Sequence, residues 1–299
     1  MLLGKVSHLL GERWGYWHPS VADQPKTARL LAEFYANRSD YHAMTAKPEK
    51  RQHPQIQLLL DTIRPADVCV EFGCGGGVVL EAVAEKAARA IGMDVASLGL
   101  RKTRARLAGR GNSFAIQSDV ASAPLKSGIA DVAYSCEVLE HVWNPEAVIL
   151  EMIRVLRPGG ILFITTPNGF SLDLHLNLRP AIRAINLIGA AWTYVRGAAS
   201  PRIFRNMEPD LTTVPSYSDC DMITKIFPPS LGRWLGRQGC SVERLETFFF
   251  QKAKAPDAKT MERTQHLGAH PFFQFFGDHI LLVARKASPS LGRCATEGR

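Results

Sequence analysis

Four acidic residues follow short apolar runs, where carboxylates could bind the hydroxyl and amino groups of a nucleoside. They are Glu71, Asp94, Asp119 and Glu137. If these runs are parallel strands, their carboxyl ends lie at one edge of a sheet, which is where ligands bind in such folds. The pattern predicts one acidic rim that faces a single ligand.

A glycine-rich turn comes directly after the first of these acids. Residues 68–77 read VCVEFGCGGG and are followed by the helical pattern VVLEAVAEKAARA of residues 78–90. A strand, a glycine turn and a helix in this order bring backbone N–H groups close to a ligand, because glycine has no Cβ and adopts positive φ easily. By itself, the pattern also suits an ordinary tight turn between a strand and a helix.

A second group able to do chemistry is the segment EVLEH, residues 137–141. In a helical turn Glu137, Glu140 and His141 would share one face. His141 could then act as a general base near neutral pH. Alternatively, the three side chains could hold a divalent cation that acidifies a substrate hydroxyl. A third interpretation is structural, with the pair Glu140 and His141 bracing the helix.

Three segments together resemble the class I S-adenosylmethionine (SAM) dependent methyltransferases, in the quinone-biosynthesis O-methyltransferase (methyltransferase type 11) branch. They are EFGCGGG, ADVAYSCEVLEHV of residues 130–142 and RVLRPGGILFITTPN of residues 154–168, and the resemblance covers 55–168. It implies a SAM-dependent enzyme with Asp94 at the ribose and Asp119 at the adenine, although Asp119 would also suit a turn cap. The expected cofactor-binding residues are Glu71, Gly73, Cys74, Gly75, Gly77, Asp94, Val95, Asp119, Val120 and Cys136.

The E-x-x-E-H segment is also similar to the metal-binding motif of small-RNA 2′-O-methyltransferases. Those enzymes use a later histidine, and at the comparable place, before FPPSL of residues 227–231, this chain has Asp221. Asp221 could supply an oxygen ligand instead. A divalent cation at Glu137, Glu140 and His141 therefore stays open, and His141, Glu137 and Glu140 are the catalytic candidates in either case.

The alternation of strand and helix patterns predicts an α/β fold with a parallel sheet covered on both faces. The resemblance implies a Rossmann-like, doubly wound, seven-stranded sheet, mostly parallel, with HILLVAR as an antiparallel last strand. The predicted segments are an N-terminal helical lid at 1–54, a SAM-binding core at 55–168, a substrate-cap insertion at 169–226, the rest of the core at 227–286 with a loop at 251–278, and a disordered tail at 287–299.

The insertion is the expected source of substrate contacts, because it is far longer than an ordinary connection. Trp192, Tyr217 and Asp221 lie in it, and Tyr41 precedes the core as a lid candidate implied by the resemblance. These aromatic rings could stack on a substrate ring or sugar. Equally, they could pack the insertion's own small core or the N-terminal helix.

Composition restricts the partners. The chain has 299 residues, a net charge of +8 and six cysteines without a C-x-x-C pair, and no apolar run reaches the ~18 residues needed to span a bilayer. We expect a cytoplasmic location. Residues 179–205 combine arginines, an absence of acids and an apolar run, which predicts weak contact with an anionic membrane surface. The chain is expected to act as a monomer or homodimer on a small molecule, not on nucleic acid.

The expected function is methyl transfer from SAM to a small molecule, with a hydroxyl oxygen favoured on a lipid-linked, aromatic or sugar acceptor. Carbon and nitrogen acceptors remain open, because they would use the same cofactor pocket. RNA 2′-O-methylation is a second hypothesis, and a non-catalytic subunit that binds SAM without turning it over is a third.

Overall fold

The computed structural model describes residues 30–31, 33–35, 38, 47–168, 204–206, 222–248 and 277–288. Tyr41, Trp192, Tyr217 and Asp221 lie outside these ranges, as does almost all of the basic segment 179–205. The predicted boundaries of the lid, the cap and the tail depend mainly on residues outside the described ranges, so they stay predictions.

A seven-stranded sheet forms the centre of the described structure. Its strands are β1 (Val68–Phe72), β2 (Arg89–Asp94), β3 (Ser113–Gln117), β4 (Ala130–Cys136), β5 (Leu156–Pro167), β8 (Cys240–Phe248) and β9 (His279–Lys286), in the order β3-β2-β1-β4-β5-β9-β8. Strands β1 to β5 pair in parallel, and β9 runs antiparallel to both β5 and β8. The predicted mostly parallel sheet with an antiparallel last strand is confirmed. A separate pair consists of β6 (Phe204–Asn206) and β7 (Thr224–Ile226).

Helices cover both faces of this sheet. They are α1 (Pro54–Thr62), α2 (Val78–Ala84), α3 (Ser97–Arg106), α4 (Pro145–Val155) and α5 (Pro228–Arg237), with short 3-10 helices at Pro48–Gln52 and Leu139–His141. Helices α1 to α3 pack in one hydrophobic cluster, and α4 and α5 in a second cluster on the opposite face. The doubly wound arrangement is therefore confirmed.

The first strand shows why the sequence gives this architecture. Val70 and Phe72 are fully buried in the cluster of α4 and α5, while Cys69 is fully buried in that of α1 to α3. A strand covered on both faces must be apolar nearly throughout. The following turn lies at the carboxyl end of β1, between the ends of the neighbouring strands β2 and β4.

The helix after the glycine turn is shorter than predicted. The sequence pattern extends to Ala90, but α2 ends at Ala84 and β2 already begins at Arg89. The side-chain amide of Asn112 donates to the carbonyls of Ala84 and Ala87, at 2.9 and 3.1 Å. These bonds satisfy carbonyls that the helix end leaves open, so a residue distant in sequence stabilises the end of α2.

Two further local expectations need correction. The sequence RPGG of residues 157–160 predicts a break between a helix and the strand ILFITT, but β5 begins at Leu156, directly after α4, and includes these residues. The helical turn expected from Glu137 is a 3-10 helix limited to Leu139–His141. Glu137 precedes it in a left-handed conformation, with φ +57°, so the three E-x-x-E-H side chains do not share one helical face.

The positive charge of α3 and of the residues after it is partly neutralised by acids in and directly after α2. Arg106 pairs with Glu81 at 3.4 Å, and Arg110 pairs with Glu85 at 3.2 Å. Part of the positive charge is therefore used within the fold. No helix among the described residues is long and apolar enough to cross a membrane.

Replacing Asn112 by Ala should lower the free energy of unfolding by about 1–2 kcal/mol, because two partly buried carbonyls lose their donor. Urea denaturation would measure the loss. The control is Arg101→Ala at an exposed position of α3, which should change stability by less than about 0.5 kcal/mol. Equal losses in the two variants would contradict the role of Asn112 at the end of α2.

Candidate active site

The glycine turn is fastened to the neighbouring strand β2. The backbone N–H groups of Gly73 and Cys74 both donate to the carbonyl of Met93, at 2.8 and 2.9 Å. Gly73 has φ +83°, and a Cβ there would lie 2.4 Å from the Val138 side chain. Any larger residue at position 73 would therefore push the turn away from the segment after β4.

Gly75 has a different environment. It has φ +49°, and a Cβ built there would meet no atom within 4 Å, although the residue borders the cavity described below. Gly77, with φ +76°, instead abuts Thr103 of α3, whose hydroxyl donates to the carbonyl of Gly75 at 2.7 Å. The turn is packed on one side and open on the other, which leaves room for a ligand against its backbone.

A cavity of about 340 Å³ lies at the carboxyl ends of β1 to β4. Its size falls within the range of small-molecule sites. Nine of the ten residues expected to bind the cofactor line it, and Gly77 does not. The nine are Glu71, Gly73, Cys74, Gly75, Asp94, Val95, Asp119, Val120 and Cys136.

The Asp94 carboxylate is held by backbone on both sides. Oδ2 accepts from the N–H of Gly75 and Oδ1 from the N–H of Ala96, each at 2.7 Å. These two backbone donors fix the orientation of the carboxylate at the edge of the cavity. A half-buried, oriented carboxylate of this kind suits a pair of ribose hydroxyls.

Asp119 combines the two roles that the sequence left open. Its Oδ1 accepts from the N–H of Ala121 at 2.8 Å, which is the geometry of a turn-capping aspartate. The residue is exposed and also lines the cavity, beside the buried Val120. The cap holds the loop in place, and both the Asp119 side chain and the apolar Val120 border the cavity.

Glu71 is the buried acid of the rim, with 3% of its surface exposed. The hydroxyl of Tyr134 donates to its Oε2 at 3.3 Å. Burial raises the pKa of Glu71 to about 8, although the Lys50 charge and the Tyr134 hydrogen bond act in the opposite direction. Glu71 therefore holds its proton more strongly than an ordinary carboxyl group does.

His141 and Glu140 form a pair at the cavity wall. His141 lines the cavity, and its Nε2 lies 3.5 Å from Oε1 of Glu140. Glu140 is 1% exposed and does not border the cavity; its other oxygen accepts from the Thr166 hydroxyl at 2.9 Å. Burial raises the pKa of Glu140 to about 7, against the lowering effect of His141. The arrangement is that of an imidazole oriented by a buried carboxylate.

Glu137 turns away from that pair. It lines the cavity, and its Oε2 lies 3.1 Å from Nε2 of His279 at the start of β9. Burial alone would raise the pKa of Glu137, but the His279 and Lys50 charges outweigh it and lower the pKa. Across the described ranges, no group of three His, Cys, Asp or Glu side chains converges as a metal site. The trio Glu137, Glu140 and His141 does not fit a cation in this geometry.

Several cavity residues were missed in the sequence. Leu31 and Tyr35 from the helical residues before the core, Lys50 from the first 3-10 helix and Trp143 after the E-x-x-E-H segment all line the cavity. Trp143 could have been found from its position two residues after His141. Tyr35 takes the place expected of an N-terminal aromatic, whereas Tyr41, the candidate chosen, lies outside the described residues with Trp192, Tyr217 and Asp221.

The chemistry of the lining fits SAM. Asp94 and Asp119 offer acceptor oxygens, Glu71 is placed for a positive group, and the open side of Gly75 leaves backbone exposed to a ligand. Val95 and Val120 supply apolar surface. Such a mixture matches a cofactor that carries ribose hydroxyls, an amine, an apolar ring and a positive charge.

Comparisons with known proteins agree with this geometry. A family profile described as a methyltransferase domain matches residues 70–164. A ubiquinone biosynthesis O-methyltransferase from Xanthomonas oryzae pv. oryzae is 33% identical over 185 residues, covering 60% of this chain and 70% of that protein. The same-named protein of Methylococcus capsulatus is 37% identical over 101 residues, covering 33% of this chain and 43% of that protein. Of a curated methyltransferase from Mycolicibacterium smegmatis, this chain spans 37%.

A solved structure shares the fold. The S-adenosylmethionine-dependent methyltransferase of Mesorhizobium loti superposes with a TM-score of 0.51 at 18% identity, over 79% of this chain and 99% of that chain. At this identity the likeness concerns the arrangement of strands and helices and not the substrate.

Replacing Glu71 by Gln should stabilise the protein at high pH. The folded pKa of about 8 exceeds the ordinary value of 4.5, so the folded state holds a proton that the unfolded state releases, and wild-type stability is lost as pH rises toward and through 8. At pH 9 the variant should gain a few kcal/mol at most, since one pKa unit corresponds to about 1.4 kcal/mol. At pH 4 the two should be alike, as urea denaturation would show. A stability difference independent of pH would contradict a protonated Glu71.

Proposed function

The chain belongs to the class I SAM-dependent methyltransferase family, and we propose that it transfers the methyl group of SAM to a hydroxyl oxygen on a small aromatic acceptor. The observation that carries the proposal is the imidazole of His141 at the cavity wall, backed by the buried Glu140. The names of the two O-methyltransferase relatives support an oxygen acceptor. The aromatic side chains of Tyr35 and Trp143 in the lining support a planar ring.

Each part of the cavity has a distinct task in this proposal. Asp94 binds the ribose, and Asp119 with Val120 borders the adenine. Glu71 meets the positive amino group, which favours its charged form. When bound, the cofactor supplies a methyl group on a sulfonium sulfur, to which the electron pair of the broken C–S bond returns. The residues need only align the acceptor and remove its proton.

His141 is the residue we assign to proton removal. Its Nε2 lies 3.5 Å from Glu140, so the proposal assigns proton removal to the other ring nitrogen, Nδ1, which is a buried atom of the cavity wall. The imidazolium that forms is stabilised by the Glu140 carboxylate, and its charge in turn lowers the pKa of that carboxyl. A base paired with an orienting acid is the general form of such catalysis.

The RNA hypothesis finds less support. It relied on the E-x-x-E-H motif as a metal site and on positive charge. Glu137 and Glu140 point to different partners, and two arginines, Arg106 and Arg110, are paired with Glu81 and Glu85. A small-molecule acceptor is therefore the function that we propose.

The test is methyl transfer from labelled SAM to catechol, used as a phenolic probe. Replacing His141 by Ala should lower kcat about 10²- to 10⁴-fold, the usual contribution of a general base, because the proton has no acceptor. Binding of S-adenosylhomocysteine, measured by calorimetry, should change less than about twofold.

The outcomes distinguish the competing functions. Full activity of His141→Ala on catechol would remove His141 as the base. Transfer by the wild type to amines but not to phenols would indicate nitrogen methylation. Tight S-adenosylhomocysteine binding without turnover on phenols, amines or carbon acids would indicate a non-catalytic subunit. The Arg101→Ala variant serves as the control for general effects of substitution.

A further inference from the structure

The backbone at Glu137 is unusual. Among the residues that the structure describes, it is the only non-glycine residue with positive φ, +57°. Its N–H donates to the carbonyl of Thr165 at 2.9 Å, which ties the end of β4 to β5. Left-handed conformations of this kind carry strain and occur often at functional sites. The strained backbone directs the Glu137 side chain to the cavity, whose wall it forms.

His279, the partner of Glu137, is rigidly placed. It is the first residue of β9 and pairs with Pro167 of β5 on one side and with Phe248 of β8 on the other. Asn168 also holds the two residues before His279. Its N–H donates to the carbonyl of Asp278 at 2.8 Å, and its side-chain amide donates to the carbonyl of Gly277 at 2.7 Å.

The contact between the two side chains uses only part of the carboxylate. Oε2 of Glu137 faces Nε2 of His279 at 3.1 Å. The other oxygen, Oε1, is buried without a hydrogen bond of ordinary geometry to a described residue, although the nearby Thr165 hydroxyl helps to lower the pKa of Glu137. Glu137 also lines the cavity and keeps 24% of its side-chain surface exposed, so the contact with His279 holds a partly exposed carboxylate at the cavity wall.

We propose that His279 is a positioning residue that holds the Glu137 carboxylate at the cavity wall, where it accepts a hydrogen bond from a hydroxyl group of the acceptor. This inference rests on the proposed function. The donor is a neutral O–H, because the carboxylate already has the positive charges of His279 and Lys50 near it. Glu137 and His141 then contact the acceptor from two points of the cavity wall. The pair would fix the orientation of the acceptor, while His141 removes the proton.

The test compares His279→Leu, His279→Asn and Glu137→Gln with the wild type, using catechol as the probe acceptor. His279→Leu removes the donor to Oε2, and Glu137→Gln removes the charge. Each should raise the KM for catechol about 10- to 100-fold, the effect of losing a hydrogen bond to a charged group. The kcat at saturation should change less than the KM. His279→Asn keeps an N–H donor and should recover the KM to within about threefold of wild type.

Three controls separate positioning from folding. Arg285→Gln on the exposed side of β9, where Arg285 pairs with Glu243, should leave the KM unchanged. Thermal melting would show whether the His279 variants are folded at the assay temperature. Binding of S-adenosylhomocysteine should be unchanged in all variants, because Glu137 and His279 act on the acceptor and not on the cofactor.

Several results would overturn the inference. They are an unchanged catechol KM in folded His279→Leu, a weakened S-adenosylhomocysteine affinity with an unchanged KM, or a failure of His279→Asn to recover the KM. The proposed function fails in a different way, since the wild type itself would then show no transfer to a phenol.

Discussion

The Asp94 carboxylate is the interaction on which the site depends. With one oxygen on the Gly75 N–H and the other on the Ala96 N–H, each at 2.7 Å, it joins the glycine turn after β1 to the segment that opens α3. The charge-assisted bonds hold the turn without a side chain that would fill the cavity. The open side of Gly75 and the position of the acidic rim both follow from this connection.

Burial separates the chemical roles of the acids in and behind this rim. Asp119 is exposed and accepts a hydrogen bond from the Ala121 N–H of its own turn. Glu71 is buried beside Tyr134, and Glu140 is buried behind His141. The more deeply a carboxyl is buried, the more its charged form depends on a positive neighbour. A ligand with an amino group would supply that neighbour for Glu71, and proton transfer to His141 would supply it for Glu140.

The sequence predicts the parts of the fold that depend on local pattern. The apolar runs and glycines around Glu71 predict β1, the turn and the start of α2, because burial and positive φ restrict the residue types. The end of α2 is not predictable in this way, since residues up to Ala90 favour a helix and Asn112 helps to end it. Similarly, no pattern in the sequence near Glu137 indicates its contact with His279, because only the antiparallel placement of β9 brings the two residues together. Lys50 and Tyr35 reach the cavity through tertiary packing alone.

Calorimetric titration with S-adenosylhomocysteine, on the wild type and on Asp94→Ala, tests the central claim most directly. The account predicts saturable one-to-one binding by the wild type. Affinity should be about 10- to 100-fold weaker in the variant, because the ribose and the glycine turn both lose charged hydrogen bonds. Absence of binding by the wild type, or equal affinity in the two proteins, would contradict a SAM site organised by Asp94.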